Sequence, residues 1–198
     1  MPDFYLIIIL IALALAFDFI NGFHDTANAV ATCIATRAIS PQAAIMMSAI
    51  CNFFGAMVST GVAKTIGGDI VTSPSMVDSV VLISALFGAI FWNLLTWKFG
   101  LPSSSSHALI GGVCGAVMIS YGIGALNMSG FLTIFIGLIC SPIIAMLGGY
   151  ILMTLFYMIL RNYGKGQVNN ISKRIQIISA ALMSFSHGSN DAQKSMGI

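Results

Sequence analysis

Five polar side chains follow an uninterrupted apolar run near the N-terminus. The stretch 4–17 carries no charge, yet the segment 18–28 contains two carboxylates, two amides and an imidazole. These residues are Asp18, Asn21, His24, Asp25 and Asn28. All but His24 share one face of a predicted helix. An ionisable side chain at membrane depth costs roughly 2.5–3.5 kcal/mol, so the cluster predicts a substrate or ion site.

A second polar segment, FSHGSNDAQKS (185–195), repeats the first one, FINGFHDTANA (19–29). The segments share a phenylalanine, a glycine and an aspartate at equal spacing, namely Phe19 and Phe185, Gly22 and Gly188, and Asp25 and Asp191. The residue before each aspartate, His24 or Asn190, is also a ligand type. Each glycine is a place where a helix could unwind. A polar seam between two helices is the structural alternative, but its repetition favours a functional site.

The serines of LPSSSSHALIGG (101–112) form a third polar element. Pro102 and the hydroxyls that follow it predict the start of a helix. A helix N-terminus offers free N–H groups and a partial positive charge, which suit an anion. Serines alone could equally allow close helix packing, but beside two carboxylate motifs an anion site is favoured. Each of the three motifs holds one histidine, at spacings that match no metal signature, so no resident metal site is predicted.

Composition places these motifs in a membrane protein. Hydrophobic residues make up 58% of the chain and charged residues only 7%, against roughly 25% charged residues in a soluble domain. The sequence therefore predicts an all-α integral membrane protein, a polytopic bundle of transmembrane helices in contact with the lipid bilayer. A net charge of +2 without a basic arm argues against a nucleic-acid partner.

The apolar segments define the predicted spans, since a helix needs about 20 residues to cross the hydrocarbon. The candidates are Phe4–Thr36, Ala43–Ala63, Ser79–Trp97, Ser104–Tyr121, Phe131–Leu160 with a tilt or kink near Pro142, and Ile175 to the end. The most basic segment, 161–174, is predicted to be a cytoplasmic loop. It divides a first transporter repeat, 1–160, from the start of a second, 175–198. The two aspartate motifs then point in opposite directions, as in inverted-repeat transporters with a midplane substrate site.

Three segments together resemble the signatures of the inorganic phosphate transporter (Pit) family, in its bacterial low-affinity branch. They are NGFHDTANAVAT, GLPSSSSHALIGG and FSHGSNDAQK, and the resemblance extends in order over essentially the whole chain. It implies symport of inorganic phosphate with a proton or sodium ion, often as a neutral metal–phosphate complex, and no other cofactor. It also implies inverted repeats with broken or half-helices, a multi-pass protein of the cytoplasmic (inner) membrane, and a homodimer.

The resemblance also implies roles for individual residues. The phosphate-facing hydroxyls would be Ser104, Ser105 and Ser106. The cation-coupling residues would be His24, Asp25, Asn28, Asn190 and Asp191. His24 stands where the second motif has Asn190, as in the branch regarded as proton-coupled. The family pattern continues with a further proline–serine/threonine–histidine segment, so the chain resembles the first repeat plus the start of the second, as in a fragment.

Other functions remain open at this level. The serines do not distinguish phosphate from another tetrahedral oxyanion such as sulfate or arsenate. A channel would be expected to show a continuous polar stripe or rings of charge. A membrane enzyme could use His107 with a serine, but no G-x-S-x-G segment and no orienting acid nearby support catalysis. The favoured prediction is a transporter and not an enzyme.

Overall fold

The computed structural model describes residues 2–58, 70–101 and 103–191, and these ranges are almost entirely helical. Their α-helices are α1 (Pro2–Ala35), α2 (Pro41–Ala56), α3 (Ser79–Lys98), α4 (Ser105–Tyr121), α5 (Met128–Leu160) and α6 (Lys165–Asp191). Short 3-10 turns at Pro74–Met76 and Ile123–Ala125 lie in the connections. The predicted all-α membrane fold is confirmed.

Within the described ranges, three helices are long and apolar enough to cross a membrane. They are Phe4–Ala35, Ser79–Lys98 and Met128–Leu160, and Ser105–Tyr121 is a shorter apolar helix. None of the residues of α5 is buried, although its sequence is almost wholly apolar. Such a surface is stable in hydrocarbon and unfavourable in water, which agrees with a membrane location.

Side-chain caps explain where several helices begin. Ser40 accepts a hydrogen bond from the backbone N–H of Ala43 at the start of α2, and Asn127 accepts one from Gly130 at the start of α5. Asp78 accepts from two backbone N–H groups at the start of α3. Ser104 at the start of α4 makes no such bond. The N–H groups in the first turn of α4 therefore have no cap from the Ser104 side chain.

A hydrophobic cluster fixes α4 against α1 and α3. It consists of Phe17, Leu86, Ala89 and Leu109, each completely buried. Gly112 lies so close to Ala85 that a Cβ atom would come within 2.5 Å of the Ala85 carbonyl oxygen. Leu109 of α4 packs with Leu86 and Ala89 of α3, and Gly112, one turn later in α4, lies against the earlier residue Ala85. Helices α3 and α4 therefore form an antiparallel hairpin. This hairpin holds the start of α4 beside the middle of α1.

Helices α1 and α6 run antiparallel. At one end the Thr36 hydroxyl donates to Oε1 of Gln176 over 2.6 Å. At the other end Oδ2 of Asp25 lies 3.7 Å from Nε2 of His187. Residue numbers rise along α1 while they fall along α6, so the two aspartate motifs face each other in opposite directions.

The two motif glycines do not interrupt their helices. Helix α1 continues through Gly22, and α6 continues through Gly188. A Cβ atom on Gly188 would overlap the backbone of Asn52 on α2, and one on Gly55 would overlap the backbone of Phe185 on α6. Gly188 and Gly55 therefore permit close packing of α2 against α6.

The last helix begins earlier than the sequence pattern suggested. The segment 161–174 was predicted to be a loop, but α6 starts at Lys165. Val168, Ile171 and Ile175 recur at helical spacing among the polar residues, so an amphipathic helix forms there. The predicted cytoplasmic side of this segment is not changed by the earlier start. At α2 the helix ends at Ala56, and residues 59–63 of the span predicted there lie outside the described ranges.

Candidate functional site

Three helices bring the sequence motifs together at one place in the bundle. The middle of α1 contributes the first aspartate motif, the start of α4 contributes the serines, and the end of α6 contributes the second aspartate motif. Their side chains meet around Asp25, whose side chain is 17% exposed. The motifs are distant in sequence, so helix packing alone creates this cluster.

Ser105 links the serine motif to the first aspartate motif. Its hydroxyl donates a hydrogen bond to Oδ2 of Asp25 over 2.9 Å and also contacts Oδ1 of Asn21. Ser105 and Asn21 are almost fully buried. A hydrogen bond to a charged group is worth about 1.5–3 kcal/mol, so this contact anchors the start of α4 to α1.

His187 joins the two aspartates. Its Nε2 lies 3.2 Å from Oδ2 of Asp191 and 3.7 Å from Oδ2 of Asp25. Its Nδ1 lies 2.7 Å from Oδ1 of Asn52. The Asn52 amide nitrogen is used elsewhere, since it donates to the carbonyl of Ser48. The Nδ1 atom must therefore donate to Asn52, which leaves Nε2 facing two carboxylates.

This arrangement requires a proton or another cation between Nε2 of His187 and the carboxylates. If Nδ1 carries the only ring proton, Nε2 is an acceptor that faces other acceptors. A second proton, either on Nε2 or on a carboxyl group, converts this repulsion into a hydrogen bond or ion pair. On the other side of Asp25, Nδ1 of His24 lies 3.1 Å from Oδ1. Two imidazoles thus flank one carboxylate.

The cluster has the donor atoms needed to hold a cation. One ligand atom from each of Asp25, His187 and Asp191 lies within 4.8 Å of the others, which is close enough for a shared metal ion. Carboxylate oxygens also suit sodium or a proton. The two carboxylates belong to opposite ends of the sequence, so no local spacing could have revealed this group.

The predicted site residues fall into two groups. His24, Asp25, Ser105 and Asp191 lie in the cluster, and Ser104 and Ser106 flank Ser105 at the start of α4. Asn28 and Asn190 are exposed, and the Asn190 amide donates to the carbonyl of Ser186 in its own helix. The structure therefore does not bring these two amides into the cluster. Lys194 and Pro102 lie outside the described residues.

Three residues of the site were not among the predicted phosphate-binding or cation-coupling residues. They are Asn21, Asn52 and His187. His187 and Asn21 stood on the polar faces of the two motifs, and that periodicity was the available signal. Asn52 gave a weaker one, as a single amide within the apolar segment 43–58.

Comparison with known proteins agrees with this geometry. The model of the phosphate transporter family matches residues 21–198. A probable low-affinity inorganic phosphate transporter of Bacillus subtilis (strain 168) is 52% identical over 98% of this chain and 58% of its own length. One of Mycobacterium leprae (strain TN) is 45% identical over 99% of this chain and 47% of its own length. The chain thus spans about half the length of these relatives.

Two further matches extend the comparison. A probable low-affinity inorganic phosphate transporter of Streptomyces halstedii is 40% identical over 92% of this chain and 86% of its own length. A solved structure, "The sodium-dependent phosphate transporter", superposes with a TM-score of 0.87 at 25% identity, over 98% of this chain and 66% of that one. These relatives are named as transporters and not as enzymes. On the family match and these relatives, the chain belongs to the phosphate transporter family.

Proposed function

We propose that the chain takes part in secondary active import of inorganic phosphate, in symport with a cation across the cytoplasmic membrane. The observation that carries this proposal is the contact between Ser105 and Asp25. It places a helix start suited to an anion directly beside a carboxylate cluster suited to a cation. A symporter binds its anion and its cation together, and neighbouring anion and cation sites make this possible.

The anion site would lie at the start of α4. The N–H groups of the first turn have no cap from the Ser104 side chain, and the macrodipole favours negative charge there. Ser104, Ser105 and Ser106 would add hydroxyl donors. Neutral donors of this kind hold phosphate without burying a fixed positive charge in the bilayer.

The cation site would consist of Asp25, His187 and Asp191, with His24 beside Asp25. Phosphate at Ser105 would come close to the Asp25 carboxylate, and two like charges 4 Å apart repel by about 4 kcal/mol at an effective dielectric constant of 20. A cation among the carboxylates removes this repulsion. Each ion would therefore strengthen the binding of the other, which couples the two binding equilibria.

A proton is the co-ion that the site favours. Nε2 of His187 lies close to the two carboxylates, where a bound proton would relieve their repulsion, and His24 is a second imidazole in contact with Asp25. Sodium, or a divalent metal carried together with phosphate, would use the same carboxylate oxygens. The antiparallel packing of α1 and α6 supports the further proposal that the two motifs are inverted repeats. A homodimer is proposed on the family resemblance alone.

The substrate is tested by radiolabelled phosphate binding to the purified chain and by uptake into proteoliposomes. Unlabelled arsenate should compete, because it has the size and protonation chemistry of phosphate. Sulfate should compete weakly, because its dianion carries no proton to donate to a carboxylate. Equal competition by sulfate would favour a general oxyanion carrier, and no saturable phosphate binding would refute the proposed anion site.

A further inference from the structure

A cleft lies between the end of α5 and the beginning of α6, away from the aspartate cluster. Its volume is about 670 Å³, which is within the range of small-molecule sites. Met153, Phe156 and Leu160 of α5 form one wall, and Val168 and Ile175 of α6 lie opposite. Both helices thus contribute apolar side chains to the cleft.

Two basic side chains line this cleft. They are Arg161 and Lys165, which lie in and after the turn that joins the helices. No Asp or Glu occurs between residues 79 and 190, so neither α5 nor α6 offers these cations a carboxylate before Asp191. The polar groups of Asn169 and Ser172 line the same wall. The cleft therefore combines positive charge and hydrogen-bonding groups with the apolar wall formed by α5.

The position of the cleft matches the edge of a bilayer. The apolar sequence of α5 ends at Leu160, where the basic residues begin. Tyr157 and Tyr163 line the cleft at this level and are largely exposed. Tyrosine and basic side chains are the typical residues of the membrane–water interface. A ligand here would have its charged group at headgroup depth and its apolar part beside α5.

We propose that this cleft binds one anionic phospholipid. The Arg161 guanidinium and the Lys165 ammonium bind its phosphate, since a guanidinium can donate two parallel hydrogen bonds to phosphate oxygens. An acyl chain lies along Met153 and Phe156. Basic pockets between transmembrane helices are the usual form of an anionic lipid site.

This site is separate from the proposed transport site. Gln176 lines the cleft and accepts a hydrogen bond from Thr36, at the end of α1. The proposed transport site contacts α1 at Asp25, through Ser105. At 1.5 Å per residue, Thr36 and Asp25 are about 16 Å apart along α1. The two sites therefore recognise phosphate groups independently, and failure of one assignment does not affect the other.

Native mass spectrometry of the purified chain tests the proposal. Phosphatidylglycerol should be retained as a single equivalent, in preference to phosphatidylcholine with the same acyl chains. The double variant R161Q/K165Q should weaken its binding by at least about tenfold. The matched control K173Q/R174Q removes the same charge from the same end of α6 at side chains that do not line the cleft, and should change binding by less than about twofold.

A second variant separates the apolar part from the charges. Met153→Trp places a larger side chain in the apolar wall of the cleft while Arg161 and Lys165 remain. It should also reduce lipid retention. Circular dichroism shows whether each variant keeps its helices. Equal losses in both charge variants, no preference over phosphatidylcholine, or displacement of the lipid by inorganic phosphate would each overturn the proposal. The proposal would also be overturned if the chain formed a dimer without lipid and R161Q/K165Q separated that dimer, because the basic residues would then serve a protein interface.

Discussion

The Ser105 hydroxyl donates a 2.9 Å hydrogen bond to Oδ2 of Asp25, which lies 80 residues earlier in the chain. The same hydroxyl contacts Oδ1 of Asn21. A hydroxyl has one proton to donate. Phosphate that accepts this proton must therefore change the hydrogen bonding of Asp25, so the proposed anion and cation sites share a single donor.

Asp25→Asn should abolish phosphate uptake while the protein stays folded and inserted. The amide can still accept the hydrogen bond from Ser105, but it carries no charge with which to bind a cation. Folding should not suffer, because removing the charge lowers the cost of burying this side chain in the membrane. Uptake into proteoliposomes measures the effect. Asp78→Asn, at the exposed start of α3, is the control and should transport normally. Near-normal uptake by Asp25→Asn would reduce the motif to a structural contact.

The double variant Ser105→Ala/Ser106→Ala should weaken apparent phosphate affinity by at least about tenfold, or 1.4 kcal/mol. Each hydroxyl bound to a charged group is worth roughly 1.5–3 kcal/mol, and water can replace part of it. The dependence of uptake on the cation should largely remain. Ser103→Ala, one position before the cap of α4, should have little effect on a phosphate titration. An unchanged affinity in the double variant would place the anion elsewhere.

A pH gradient should drive uptake more strongly than a sodium gradient. His24 and His187 both contact Asp25, and an imidazole ring can accept and release a proton. His187→Gln should reduce the response to the pH gradient much more than it reduces equilibrium phosphate binding. Imposing the two gradients separately on the same vesicles decides the question, and uptake that requires sodium and ignores the pH gradient would contradict it.

Gly188→Ala should lower the stability of the bundle by about 1–3 kcal/mol. A Cβ atom at this position would overlap the backbone of Asn52 on α2, so the two helices must separate. Gly22→Ala is the matched control, because no atom lies within 4 Å of a Cβ placed there. Thermal unfolding in detergent should show a lower Tm for Gly188→Ala alone. Equal Tm values would mean that the α2–α6 contact can relax without cost.

Asp78→Ala should destabilise α3 by about 0.5–2 kcal/mol through loss of its N-cap, whereas Asp78→Asn keeps an acceptor and should cost less. The backbone N–H of Val81, followed by Tyr121 and Val80, lowers the pKa of Asp78 below its usual 3.8. A lowered folded-state pKa means that the contribution of the charge is complete above the unfolded-state pKa. It disappears as the pH falls through the folded-state pKa. The Tm difference between the wild type and Asp78→Ala should therefore shrink under acid conditions, and a constant difference would show that the charge plays no part.

Local sequence was enough to determine the class of this protein and to identify several residues of its candidate site. Apolar runs long enough to span hydrocarbon predict membrane helices, because an unpaired backbone is too costly in lipid. Asp25, Ser105 and Asp191 were identifiable because polar side chains are rare in such runs. The opposite directions of α1 and α6 also follow from counting spans.

Tertiary structure decided which of these polar groups meet. The close contact of α2 with α6 at Gly55 and Gly188 brings Asn52 to His187, and the α3–α4 hairpin brings Ser105 to Asp25. The same packing leaves Asn28 and Asn190 exposed, although both belong to the motifs. Helical periodicity assigns a residue to a face of its own helix, but it contains no information about which helix covers that face. That choice depends on long-range packing between segments distant in sequence, so only the folded chain reveals it.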